Sequence, residues 1–224
     1  MSEVPQPIRP LPRLAILSRK KSLFSTRRLI EAATAQGLKP VVLDILACDL
    51  VLDSGRPRLV HKGKRVPQLA CALPRVGASV TQEGLAVVRQ LEAMNVPLLN
   101  SASAIETSRD KLRALQILAQ KGLPIPRTVR ARAKAEVEPL VEAVGGLPVI
   151  LKLLRGTQGV GVMIAHSIAE VESILGTLQQ LGQELLVQEF ISESRGQDIR
   201  ALVVHGEVVG AMRRQGKKGE FRAN

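Results

Sequence analysis

"GGLPVILKLLRGTQGVGVMIAHS", residues 145–167, sets two short apolar runs on either side of a glycine-rich break. Each run is strand-sized, so the pattern predicts two antiparallel strands joined by a glycine loop. That reading excludes the two commonest glycine-rich phosphate loops. A P-loop needs Lys-Ser or Lys-Thr opening a helix, and a dinucleotide-binding turn also runs into a helix, whereas these glycines lead into "VMIAHS", another strand. Gly156, Gly159 and Gly161 thus lie between strands, where missing side chains let main-chain N–H groups close over an anion. A plain hairpin tip is the blander alternative. Lys152 weighs against it: it interrupts "VILKLL", and a lysine there must reach water or meet an anion, because an unpaired buried ammonium is costly.

Around this stretch, "RTVRA" reads as a strand and "EVEPLVEAVGG" as a helix. "IAEVESILGTLQQLG" reads as a helix, "ELLVQEFI" as a strand, and "DIRALVVHGEVVGAMRRQ" as a long hairpin turning at His205-Gly206. The extended "LLVQEFI" offers main-chain groups to an adenine edge, and "GQDIRALVV" adds Asp198 and Arg200. Two antiparallel layers with intervening helices make an α+β domain. Upstream, "SASAIETSRDKLRALQILAQKGLPIPRTV" predicts a helix with Leu112, Leu115, Ile117 and Leu118 on one side. Ser108 or Asp110 would cap it, and Gly122 would end it before Pro124.

The first hundred residues follow another pattern. "MSEVPQPIRPLP", residues 1–12, carries four prolines and reads as a mobile arm. "RLAILS" is a strand, "LFSTRRLIEAATAQG" a helix stopped at Gly37, and "KPVVLDIL" the next strand, the opening of a parallel α/β sheet. "RLVHKGKRVP" predicts a hairpin about Lys62-Gly63, followed by strand "LACALPRVG", helix "TQEGLAVVRQLEAMN" and strand "VPLLN", together a small doubly wound domain. No G-x-G-x-x-G follows the first strand. Its loop carries Arg19, Lys20, Lys21, Arg27 and Arg28 instead, read equally as a solvated face or as an anion or acidic-substrate site.

With 224 residues, the chain has room for one large domain or two small ones, each with its own core. The apolar stretches are strand-sized and no apolar signal region opens the chain, so a soluble cytoplasmic protein is expected, with no membrane partner. Cys48 and Cys71 have neither metal-site nor redox spacing, and His61, His166 and His205 are scattered. A net charge of +12 favours polyanionic partners. Trp and Tyr are absent and only three Phe occur, which removes the stacking platforms of single-strand binders and disfavours nucleic acid.

The run "SRDKLRALQILAQKGLPIPRT", then "LPVILKLLRGTQGVGVMIA", "LLVQEFI", "GQDIRALVVHGEVVGAMRRQ" and "GEFRAN", resembles the ATP-grasp ligases, most closely the RimK-type α-L-glutamate ligases. "LAILSR", "RRLIEAA", "GLKPVVLDIL", "HKGKRVP" and "PRVGASVT" extend the likeness over Arg13 to Asn224. The resemblance implies an ATP-grasp fold preceded by a small doubly wound pre-ATP-grasp domain. It also implies ATP and magnesium, or manganese in its place, as cofactors. In the implied mechanism a carboxylate becomes an acyl phosphate, which free L-glutamate attacks. The acceptor would be an acidic protein C-terminus, that of a ribosomal small-subunit protein, or a polyglutamate chain. On matching positions, Lys111 and Lys152 would contact the ATP phosphates, with Gly156, Gly159 and Gly161 as the flap. Glu189 and Phe190 would form the adenine hinge and Asp198 a further nucleotide contact. Arg200 and Arg222 would set positive charge near the reacting carboxylate, and Arg222, Ala223 and Asn224 would close the nucleotide site.

Members of that family continue past the position of Asn224 through a strand pair bearing their magnesium ligands. Metal ligands are therefore expected beyond residue 224, the ATP-grasp domain is expected to be incomplete, and the chain alone is expected to be inactive. The expected division is an arm at 1–12, an N-terminal domain at 13–107 and the ATP-grasp domain at 108–224. The competing class is a non-catalytic truncated paralogue that binds an acidic peptide or RNA through its basic surface. Self-association to a homo-oligomer is expected only by analogy with the fold class.

Overall fold

The computed structural model describes residues 10–132, 135–154, 161–194 and 196–217. Of the proline-rich arm, residues 1–9 therefore lie outside the described residues. The chain divides into two compact units, Met1–Arg109 and Asp110–Asn224, each with its own apolar core.

In the first unit, β1 (Arg13–Leu17) leads through a loop to α1 (Phe24–Ala35) and β2 (Lys39–Leu43). Ala15, Ile16 and Leu17 are fully buried because β1 is the central strand of a parallel sheet, with β2 on one side and a later strand, Cys71–Pro74, on the other. Gly37 takes a positive φ of 71°, which lets the chain leave α1 and enter β2. β2 is shorter than "KPVVLDIL" predicts. The Asp44 carboxylate accepts from the Leu46 N–H at 3.2 Å and caps a 3-10 turn over Ile45–Ala47.

β3 (Cys48–Val51), β4 (Arg58–His61) and β5 (Lys64–Arg65) form a small antiparallel sheet. The β4–β5 turn has positive φ at both Lys62 and Gly63, the twist a two-residue hairpin favours. β6 (Cys71–Pro74) and α2 (Thr81–Ala93) follow as predicted, and Leu85, Val88 and Leu91 of α2 fill the core. Gly84 is required there, since a Cβ would stand 2.3 Å from Val76 Cγ1.

One expectation is corrected in this region, and one helix is added. "VPLLN" makes only a single parallel bridge, Leu98 to Ala72, because Pro97 has no N–H to donate and Leu99 is 68% exposed. The helix expected to be capped at Ser108 or Asp110 is α4 (Lys111–Gln120), and a further helix not expected from the sequence, α3 (Ala102–Arg109), precedes it. Asp110 is extended, and its carboxylate caps α4 by accepting from the Arg113 N–H at 2.9 Å; Ser108 does not cap, its hydroxyl donating to the Ile105 carbonyl.

The second unit adds β7 (Thr128–Ala131), α5 (Val137–Ala143), β8 (Val149–Leu153), β9 (Val162–Ala165), α6 (Ile168–Gln180) and β10 (Leu185–Glu189). The antiparallel sheet is ordered β7-β10-β8-β9. Its β8 and β10 are buried by Val137 and Val141 of α5 and Val171 and Leu175 of α6. β11 (Gln197–Val204) and β12 (Glu207–Gln215) pair as the predicted hairpin, with positive φ at His205 and Gly206.

Candidate active site

Lys152 lies in β8 after three buried residues, and its side chain is only partly exposed. Its Nζ donates to Gln188 Oε1 on β10, the strand beside it. Gln188 Nε2 in turn donates to Thr128 Oγ1 on β7 at 2.7 Å. One residue further along β8, Lys111 at the start of α4 donates from Nζ to the Leu153 carbonyl at 2.7 Å and to the Leu154 carbonyl at 3.1 Å. Burial lowers the pKa of both lysines, and the charge of Lys111 lowers that of Lys152 further. Two residues distant in sequence thus meet at one end of one strand.

Gly161 closes the strand pair against this corner. Its φ is 78°, its carbonyl accepts from the Leu153 N–H at 2.9 Å, and a Cβ there would fall 2.4 Å from Leu153 Cδ1. Both conformation and space demand glycine. Gly156, Gly159, Arg222, Ala223 and Asn224 lie outside the described residues.

Glu189 and Phe190 follow at the end of β10, both half-buried. Arg127 grips the Glu189 carboxylate with Nε at 3.1 Å and Nη2 at 3.0 Å, and its N–H adds a third bond at 3.1 Å. The Glu189 N–H donates to the Arg127 carbonyl at 2.9 Å. Hydrogen bonds from Arg127 hold the Glu189 carboxyl below its ordinary pKa and raise that of Arg127. The Glu189 N–H is already engaged, so any adenine contact at Glu189 is left to its other groups.

Asp198 and Arg214 stand opposite each other across the β11–β12 ladder, joined by a bond from Arg214 Nε at 2.6 Å and a second from Nη2. This fork, and then the charge of Arg200 two residues along the same face, lower the pKa of Asp198. Arg200 faces Met212 across the ladder and is exposed. Sequence reasoning did not pick out Gln188, Thr128, Arg127 and Arg214. Gln188 carried a signal, a polar residue inside the apolar run "LLVQEFI".

In the first unit the basic loop has a defined frame. Ser18 and Thr26, 3% and 1% exposed, join hydroxyls at 2.7 Å. Arg19 Nε stands 3.4 Å from Asp44, whose N–H donates to His61 Nε2 at 3.2 Å. Burial, Lys62 and Lys21 lower the His61 pKa, so cations from the β1–α1 loop and the β4–β5 turn act on one imidazole.

With its fold, this cationic corner beside a glycine-closed strand pair places the chain among ligases of the ATP-grasp class. The RimK domain protein ATP-grasp from Sphaerobacter thermophilus has the same fold, with a TM-score of 0.68 at 25% identity over 95% of this chain and 75% of that one. The ATP-grasp ligase PsnB, solved with a minimal precursor, Mg and ADP, shares the fold at a TM-score of 0.62 and 19% identity, over 90% of this chain and 72% of that one.

The chain belongs to the RimK-like ATP-grasp family: residues 108–224 match the RimK-like ATP-grasp domain and 13–105 the RimK PreATP-grasp domain. It is 47% identical to the "Probable alpha-L-glutamate ligase" of Syntrophotalea carbinolica over 212 residues, 95% of this chain and 70% of that protein. The protein of the same name from Rhodopirellula baltica is 49% identical, over 95% of this chain and 52% of that protein. ATP-grasp ligases use ATP and magnesium. Two lysines held by an amide and by main-chain carbonyls suit phosphate oxygens, whereas no group of three or more His, Cys, Asp or Glu among the described residues is placed to hold a metal ion. Among the described residues, no helix is long and apolar enough to cross a membrane.

Proposed function

We propose that this chain serves an ATP-dependent carboxylate–amine ligase that adds L-glutamate to an acidic C-terminus, that of a ribosomal small-subunit protein or a polyglutamate chain. The observation that carries the reading is Lys152, a half-buried ammonium held by a neutral amide beside a second lysine. ATP, when bound, supplies the phosphoryl group that turns the acceptor carboxylate into an acyl phosphate, which the amine of glutamate attacks. Lys111 and Lys152 would offset the phosphate charge. Arg200 and Arg222 would do the same at the acceptor carboxylate, where two anions are forced together. Asp198, Glu189, Phe190, Ala223 and Asn224 would surround the nucleoside. The division is proposed at 13–107 and 108–224, and the site of action is the cytoplasm.

Calorimetric titration of ATP into the chain, with and without magnesium, tests this reading. Weak binding with little magnesium dependence is expected, and Lys152→Ala should abolish it. Absence of heat for both proteins, where a full-length relative binds, would overturn it.

A further inference from the structure

The acceptor of the Lys152 ammonium is itself locked in one orientation. Thr128 Oγ1 has a single hydrogen and donates it to the Pro126 carbonyl at 2.8 Å, so toward Gln188 it can only accept. That fixes the amide nitrogen of Gln188 toward β7 and turns its Oε1 toward β8, where Lys152 donates. Gln188 is 4% exposed and stands directly opposite Thr128, while Lys152 stands opposite Leu186, two residues before Gln188. A one-way chain of hydrogen bonds therefore starts at the lysine, crosses three strands and ends on the Pro126 carbonyl.

We propose that Gln188 is a positioning residue for Lys152: it fixes the ammonium in place through a neutral acceptor and so leaves the positive charge for a phosphate. This rests on the reading of Lys152 as a phosphate contact. A carboxylate at the same place would hold the lysine as well but cancel its charge. An apolar side chain would remove the acceptor that Gln188 supplies, and the balance would shift toward the neutral amine. The two replacements err in opposite directions, which a packing role for Gln188 does not produce. Of the charged groups among the described residues, Lys111 on α4 acts on Lys152. Its neighbours across the ladder, Leu186 on β10 and Val162 on β9, carry no charge, and neither do Gln188 and Thr128.

The test is ADP titration of the chain by calorimetry from about pH 6 to about pH 10, a range chosen to bracket lysine titration. Wild type is compared with Lys152→Ala, Gln188→Glu, Gln188→Met and Thr128→Val, with folding checked by circular dichroism. Near neutral pH both Gln188 variants should bind about tenfold more weakly, the scale of one charge-assisted hydrogen bond. The pH at which affinity falls should move down in Gln188→Met, less far down in Thr128→Val, and up in Gln188→Glu. If Lys152→Ala binds like wild type, the phosphate reading fails and this inference falls with it. If Lys152→Ala loses binding while the Gln188 variants keep the wild-type pH midpoint, only the positioning role is overturned. Should Gln188→Met not fold, the near-isosteric Gln188→Glu decides alone.

Discussion

Lys111 and Lys152 bring two positive charges to the same end of β8, Lys111 Nζ bonding the carbonyl of the residue that follows Lys152. Each is partly removed from water, and the repulsion between them adds to the cost of keeping both protonated. A bound anion would lower that cost.

Removing one charge should therefore ease the other. In Lys111→Met the Lys152 pKa is expected to rise, while nucleotide affinity at neutral pH falls about tenfold from the lost contact. An NMR titration of the lysine Nζ signals reads the first effect and calorimetry the second. A Lys152 midpoint that moves down would show that Lys111 does not repel it.

The Arg127–Glu189 fork predicts an acid-side loss of stability. The folded pKa of Glu189 is depressed below its ordinary 4.5, so its contribution is present above that value and disappears as pH falls through the folded pKa. Melting temperatures of wild type and Glu189→Gln should differ near neutral pH and converge in acid. A difference that persists below the depressed value would rule this linkage out.

Gly161→Ala should destabilise the second unit by about 1–3 kcal/mol, since it combines a positive φ with a clash against Leu153. Denaturant midpoints measure it. Adding Leu153→Ala should relieve most of the clash but leave the backbone cost, so a double variant as stable as the Leu153→Ala single variant would contradict the strain assigned to φ.

Charge reversal at Lys20 and Lys21 tests the basic loop as an acceptor contact. Binding of a glutamate-ended peptide is expected to weaken, with ATP affinity unchanged, in a fluorescence competition that includes RNA as a second titrant. Undiminished peptide binding would make the loop a solvated face. A loss for RNA alone would favour the nucleic-acid reading.

How much of this was legible depended on whether a residue broke a local pattern. Lys152 stood out in "VILKLL" and marked the site, and the same contrast at Gln188 was weaker because glutamine carries no charge. The bond from Lys111 to the Leu153 carbonyl left no trace, since it spans 42 residues and ends on the main chain. β3 was missed because "CDLV" lacks a strand's alternation and is extended by its pairing with β4. Asp110 was legible as a cap because a leucine-spaced run follows it, whereas α3 was missed because "ASAIETSR" holds few large apolar residues to mark a buried face.

The buried hydroxyl pair of Ser18 and Thr26 ties the two ends of the β1–α1 loop together at its base. Residues 19–25 therefore form a small closed ring whose ends have already lost their freedom in the folded chain. The long side chains of Arg19, Lys20 and Lys21 remain exposed, but they swing from a frame that does not. A ligand meeting them would immobilise side chains without also ordering the base of the loop, which lowers the entropic cost of association.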